Sequence, residues 1–335
     1  MKAEPSDAPV RVLRGPGALE RCGEEAAALG SRALVVSSGR PDSRQEGLVE
    51  RVRRLLQTAR VGQRAFARVP RRGEPVDAAR GMAPEAAREA HCSLVIGVGD
   101  DRVLDVARFA GGEAWLPTLL VPTVLGYGRP IPTDTFPLPD VLVLDAAAQV
   151  GAEPGATAAE AIVLLAGLLE AYAASDPGPS DREVEEILRT LVEQAPRAVR
   201  QPGDPEPRGR LIEVAAGSSV VLASKGNTPR PVEDLAARLA GRQAGPDTLR
   251  GALLPAVLEV SAAGDRPLAA ERVARFGREV LDINEEDHGR AAQWAAGGVR
   301  QWVRSLGMET RVSIPAPRGA SGDGVLLEVL AVMRR

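Results

Sequence analysis

The chain has 335 residues, 44% of them apolar, which is enough to bury one large core or two ordinary ones and excludes disordered and fibrous classes. Its 42 basic side chains stand against 45 acidic ones, and a net charge of −3 creates no field that would gather nucleic acid or an anionic membrane surface. Among the basic residues only Lys2 and Lys225 are lysine, so Lys225 is the one internal exception to a strong preference for arginine.

Along the chain, Val10–Leu13 reads as a strand, Gly17–Leu29 as a helix, Ala33–Val36 as a buried strand and Gly47–Ala59 as an amphipathic helix. Arg64–Val69 follows as a strand, Val76–His91 as an Ala-rich helix, Ser93–Val98 as a buried strand and Val103–Phe109 as a helix. Leu119–Pro122 and Val141–Leu144 complete the strands, separated by a loop carrying Pro130, Pro132, Pro137 and Pro139. Alternating strands and helices predict a parallel sheet covered on both faces. Beyond about residue 151 helices take over: Ala158–Ala174, Ser180–Ala195, Arg208–Ala223, Val232–Ala240, Thr248–Val260, Ala269–Leu281 and Arg290–Leu306, with Gln201–Gly209 as a connector. The expected architecture is a Rossmann-like α/β domain over 1–150 and an all-α domain over 151–335. A ligand crevice is expected at the carboxyl ends of the strands, roofed by the helical domain.

Cys22 and Cys92 cannot form a disulfide framework, and His91 and His288 offer a metal little; a reducing compartment is expected. The polar start Met1–Asp7 has no signal-peptide core, and no apolar run reaches about 18 residues, so the expectation is a soluble cytoplasmic protein. The expected partner is a small-molecule substrate, with no nucleic acid and no membrane. An N-terminal edge strand favours a homodimer.

Four strings carry a resemblance. Leu94-Val95-Ile96-Gly97-Val98-Gly99-Asp100-Asp101-Arg102-Val103-Leu104-Asp105 forms a strand, turn and helix start; Val121-Pro122-Thr123-Val124-Leu125-Gly126-Tyr127-Gly128-Arg129-Pro130 precedes the strand end Val143-Leu144-Asp145. Leu169-Glu170-Ala171-Tyr172 and Arg250-Gly251-Ala252-Leu253-Leu254-Pro255 lie on later helices. In this order the strings resemble the iron-containing alcohol dehydrogenase and dehydroquinate synthase superfamily, which includes glycerol-1-phosphate dehydrogenase and maleylacetate reductase. The resemblance implies a dehydroquinate synthase-like fold over roughly Val10 to Leu306.

Against that pattern the functional motifs look degenerate. The family's triple glycine, which brings backbone amides to a dinucleotide pyrophosphate, maps to Gly99, Asp100 and Asp101, followed by Arg102. Each carboxylate would repel a phosphate by about 3 kcal/mol at roughly 5 Å and an effective dielectric near 20, unless Asp100 or Asp101 merely caps the helix. At the family's metal site, aligning on Glu170 puts Val163 at the Asp ligand and Gly167 at the first His, and a shifted alignment puts Glu160 at the Asp. The later histidine pair maps to Asp234 and Arg238, and the last ligand to Arg250. No metal and no cofactor are therefore expected, with retained NAD(P) as the alternative.

By position in the family, the cleft would be lined by Thr123, Tyr127, Arg129, Asp134, Lys225, Asn227, Arg230, Asp234, Arg238 and Arg250. Lys225, Tyr127 and Asp234 are the catalytic candidates; Thr123, Arg129, Asn227, Arg238 and Arg250 are the substrate-binding ones. The blander readings are a surface lysine, an aromatic packing plug at Tyr127 and a surface i to i+4 pair between Asp234 and Arg238. His91 is expected to be structural and His288 solvated. The leading functional expectation is acid–base cyclisation, elimination or isomerisation of a small anionic or carbonyl metabolite, without NAD or metal, in specialised metabolism. The alternatives are a divergent NAD(P)-dependent alcohol dehydrogenase or other oxidoreductase, and a non-catalytic binding member of the family.

Overall fold

A computed structural model describes residues 10–70, 74–125, 138–224, 230–239, 246–264, 268–312 and 324–334. The chain divides into two compact units, Met1–Ala152 with Gly203–Ile212, and Glu153–Pro202 with Glu213–Arg335.

The first unit is built on six strands: β1 (Arg11–Arg14), β2 (Arg32–Ser38), β3 (Gly62–Val69), β4 (Leu94–Gly99), β5 (Thr118–Pro122) and β6 (Val141–Leu144). All pair in parallel, in the order β1-β6-β5-β4-β2-β3. The helices between them are α1 (Cys22–Leu29), α2 (Ser43–Thr58), α3 (Asp77–Glu89) and α4 (Asp101–Ala114), with short 3-10 turns at Ala18–Arg21 and Ala146–Ala148. Because side chains alternate along a strand, the sheet buries two cores. Ala33, Val35, Leu94, Ile96 and Val98 face α1 and α2, whereas Leu34, Val36 and Val95 face α3 and α4. From β2 the chain steps out to β3 and returns to β4 on the other side of β2, which makes the carboxyl ends of β2 and β4 a topological switch point.

The buried carboxylate of Asp145, just after β6, accepts from the Leu19 and Ala147 amides, both at 3.0 Å, and ties the first 3-10 turn to the end of the sheet. His91 follows α3 with φ of 49°, a helix-ending conformation, and its side chain is exposed.

The second unit is helical: α5 (Pro154–Ala173), α6 (Asp181–Arg200), α8 (Pro231–Leu239), α9 (Pro246–Ala262), α10 (Ala270–Leu281), α11 (His288–Ser305) and α12 (Gly324–Arg334). Helix α7 (Pro205–Ser224) begins in the first unit and ends in the second. The expected connector is shorter than Gln201–Gly209, because Asp204 accepts from the Glu206 amide at 2.9 Å and Pro205 starts α7 there. Helix α12 is an addition to the expected elements and buries Leu326, Val329, Leu330 and Met333. His288 is the first residue of α11 and is exposed. Among the described residues α5 alone is long and apolar enough to cross a membrane, but 83% of its apolar window is buried inside the fold, as in a core helix.

A polar knot pins α5, α6 and α10 together. The Arg272 guanidinium bonds both oxygens of Asp181 at 2.6 and 2.9 Å, donates twice to the Tyr172 carbonyl and lies 3.8 Å over the Tyr172 ring. Tyr172 donates its hydroxyl to Glu185, which also pairs with Arg275 at 2.7 Å. Hydrogen bonding from Arg272 holds the Asp181 carboxyl below its usual range, whereas burial pushes the Tyr172 hydroxyl up. Asp181 and Arg272 are each 3% exposed, so removing Arg272 leaves the buried Asp181 carboxylate to the more exposed Arg275, 3.0 Å away. Arg272→Met is expected to lower unfolding free energy by about 3 kcal/mol in urea denaturation, with most of it returned when Asp181→Leu is added.

Candidate functional site

In the α/β unit the switch point is shaped by glycine. A Cβ on Gly97 would lie 2.8 Å from the Ala107 Cβ, and one on Gly99 2.7 Å from that of Val103, so α4 reaches the end of β4 only because both positions lack a side chain. Asp100 is the N-cap of α4, its Oδ1 accepting from the Val103 amide at 3.1 Å, and Asp101 accepts from the Arg102 amide at 3.1 Å. The capping alternative therefore describes Asp100, whereas Asp101 is the first residue of α4 and bonds the amide that follows it. Arg102 donates to the Glu74 carbonyl.

Beside this turn, the Thr123 amide donates to the Gly99 carbonyl at 2.9 Å. The Thr123 side chain is fully buried, and its hydroxyl has no hydrogen-bond partner among the described residues. Gln149 Nε2 donates to the neighbouring Val124 carbonyl at 3.2 Å, while its Oε1 is likewise unpartnered. Burying a polar atom without a partner costs on the order of 1–3 kcal/mol, so two of them beside one turn mark a place adapted to a polar ligand or water.

In the helical unit, the fully buried Glu170 accepts the Val232 amide of α8 at 2.6 Å through Oε1, and its Oε2 has no partner among the described residues. Burial pushes the Glu170 carboxyl up to about 8 against the pull of that amide; Glu233 and Asp234 push the same way and Arg230 opposes. Arg250 is gripped by Glu233 in a two-point pair at 2.8 and 3.1 Å. Asp234 and Arg238 are exposed on α8.

Of the residues singled out from sequence, Tyr127, Arg129, Asp134, Lys225 and Asn227 lie outside the described residues. Thr123 belongs to the first unit, and Arg230, Asp234, Arg238 and Arg250 to the second. Sequence reasoning quoted Glu170 only as part of a family string and passed over Glu233 and Gln149. The signal for Glu170 was an acid inside the apolar run of α5, and for Glu233 it was the acidic pair Glu233-Asp234 in the first turn of α8.

A parallel α/β unit with a glycine turn at its switch point, followed by a helical unit, defines the class. Residues 9–133 match the family model for iron-containing alcohol dehydrogenase. Over 240 residues the chain is 29% identical to the maleylacetate reductase of Sphingobium indicum, an alignment covering 65% of each protein and so less than two thirds of that relative's length. It is 25% identical over 346 residues to the "Probable alcohol dehydrogenase EutG" of Salmonella typhimurium, covering 91% of this chain and 83% of that one. The NADH-dependent butanol dehydrogenase A of Thermotoga maritima shares the fold, with a TM-score of 0.80, 18% identity and coverage of 100% of this chain and 99% of the other. The family-model match over residues 9–133 and the curated relatives support the iron-containing alcohol dehydrogenase superfamily, and the solved structure shares its fold.

These relatives overturn the expectation of acid–base cyclisation, elimination or isomerisation, and with it the keywords cyclase, lyase and metal-independent. They are named as dehydrogenases and a reductase. The expectation of no cofactor is corrected too, since the matching family is iron-containing and the butanol dehydrogenase is NADH-dependent. The physical error lay in treating Asp100 as a bare anion facing a phosphate, when its carboxylate caps the first turn of α4.

The two groups fare differently against the side chains present. The glycine turn and the unpartnered Thr123 hydroxyl fit a dinucleotide. For a metal, no group of three His, Cys, Asp or Glu side chains is in place among the described residues, and Val163, Gly167, Arg238 and Arg250 occupy mapped ligand positions, so the donor set does not fit and no chemical step is routed through a metal.

The raised Glu170 carboxyl has a signed consequence. The folded chain keeps its proton up to about pH 8, while the unfolded chain releases it near pH 4.3, so this residue subtracts stability progressively as pH rises between the two values. Glu170→Gln keeps the neutral donor and acceptor pattern. The variant is expected to match the parent near pH 5 and exceed it at pH 9 in urea denaturation.

Proposed function

We propose that this chain is an NAD(P)-dependent oxidoreductase that interconverts a small alcohol and its carbonyl compound. The observation that carries the proposal is the buried, unpartnered Thr123 hydroxyl beside the Gly99 turn, at the carboxyl ends of β4 and β5. Ligands of parallel α/β sheets bind at that end of the strands. The superfamily relatives, named for alcohol dehydrogenase and maleylacetate reductase activity, support the same reading.

The dinucleotide, when bound, supplies the hydride donor or acceptor. The chain's own residues prepare the place: Gly97 and Gly99 let backbone come close, Asp100 fixes the first turn of α4, and the Thr123 amide locks its loop to the end of β4. The Thr123 hydroxyl then offers the dinucleotide a donor already stripped of water. The edge of β1, which among the described residues pairs with β6 alone, supports a homodimer.

Calorimetric titration with NADH and NADPH tests the reading directly; micromolar binding of either is the expected result, and no binding of either at millimolar concentration overturns it. Thr123→Val removes only the hydroxyl. It is expected to leave unfolding free energy unchanged or higher, because no partner among the described residues is lost, and to weaken dinucleotide binding about tenfold.

A further inference from the structure

We infer that β3, the edge strand of the α/β unit, is a docking site for an extended acidic segment of a partner protein, which joins the sheet as an added strand. The stretch from Arg51 to Gly73, which contains the end of α2 and all of β3, holds eight arginines and no acid, in a chain whose net charge is −3. Basic charge is thus concentrated in one short stretch of an otherwise acidic chain. A short acidic segment meets that stretch alone, whereas an extended polyanion such as nucleic acid or a membrane surface would also meet the acidic remainder.

The edge is open to pairing. Strand β3 is last in the sheet order and pairs, among the described residues, with β2 alone. The Gly62 amide donates to the Ser31 carbonyl at 2.8 Å. By alternation the backbone groups of Gly62, Arg64 and Phe66 face β2, and those of Gln63 and Ala65 face outward, where a further strand would bond them. Ala65 and Ala67 are both exposed and place nothing bulky beside that margin.

Arginine stands on both faces of the margin. Arg64 shares the face of Phe66, which packs in the core under α3 and α4, and Arg68 approaches the Met82 sulfur of α3 at 3.8 Å. On the other face Arg53 of α2 donates to Gln63 Oε1 at 3.1 Å. Arg51 pairs with Glu20 and Arg53 with Glu50, but Arg54, Arg60 and Arg64 are exposed and have no carboxylate partner among the described residues. Charge on an edge strand keeps it from pairing with its own kind. A second copy of β3 would set arginine against arginine, whereas a strand that brings carboxylates to these positions gains cross-strand ion pairs and the two-point contact of the guanidinium fork.

The test is fluorescence anisotropy of three labelled peptides titrated with the full chain: alternating glutamate and valine, alternating lysine and valine, and alternating glutamate and proline. The last has the charge of the first but lacks the proline amides that an added strand would use. The same titrations are run on Arg64→Glu and Ala65→Pro, with thermal unfolding as a folding control; the Ala65 amide faces outward, so proline there removes no bond to β2. The glutamate–valine peptide is expected to bind at least about tenfold tighter than either of the others, and to weaken about tenfold in each variant with Tm unchanged. No binding at millimolar peptide, equal binding of the two glutamate peptides, or a folded Ala65→Pro that binds like the parent overturns the inference. So does a DNA duplex or a phosphatidylserine vesicle that binds more tightly than the peptide. If Ala65→Pro does not fold, the proline peptide and Arg64→Glu decide.

Discussion

The approach of α4 to the end of β4 is the constraint on which the α/β unit depends. With Gly97 and Gly99 in β4, the Ala107 and Val103 side chains sit where strand side chains would otherwise project, and the helix starts directly at the sheet's edge. Once α4 is seated there, its first turn needs an acceptor, and Asp100 provides it. The same β4 end receives the Thr123 amide, so the helix start, the glycine turn and the β5 loop are fixed as one piece. A side chain at either glycine would move all three, which is why the turn and the unpartnered hydroxyl beside it belong to one adaptation.

The helical unit is organised by charge inside an apolar frame. Around Arg272 every strong donor and acceptor finds a partner, and the result is a rigid junction of α5, α6 and α10. Glu170, two residues before Tyr172 on α5, is the opposite case. One of its oxygens anchors α8 and the other is unpartnered, so burial favours the neutral acid. One helix thus carries a satisfied polar network and, half a turn away, a carboxyl whose protonation the fold itself controls.

The strands and most helices were legible because their patterns are physical: continuous apolar runs in the buried strands β2 and β4, and helical spacing in α2 and α6. What escaped had identifiable causes. Pro205 looked like a loop residue, yet after the capping Asp204 it is a favourable first helical residue. Asp100 and Asp101 were read as charges facing a phosphate, because sequence shows the charge and not the amide that the carboxylate accepts. The pairing of Glu233 with Arg250 joins side chains 17 residues apart on different helices, a relation that neither helical period nor a family string contains.

That last point gives the composition its meaning. Replacing lysine by arginine changes more than codon usage, since each guanidinium is a permanent charge with a planar fork that can satisfy two acceptors at once. The buried and half-buried arginines exploit the fork: Arg272 spans Asp181 and the Tyr172 carbonyl, and Arg250 takes both oxygens of Glu233. A lysine at either place could not reproduce the two-point contact, and its desolvated ammonium would tend to lose its proton. The arginine-rich sequence is therefore compatible with charge deep in the helical unit.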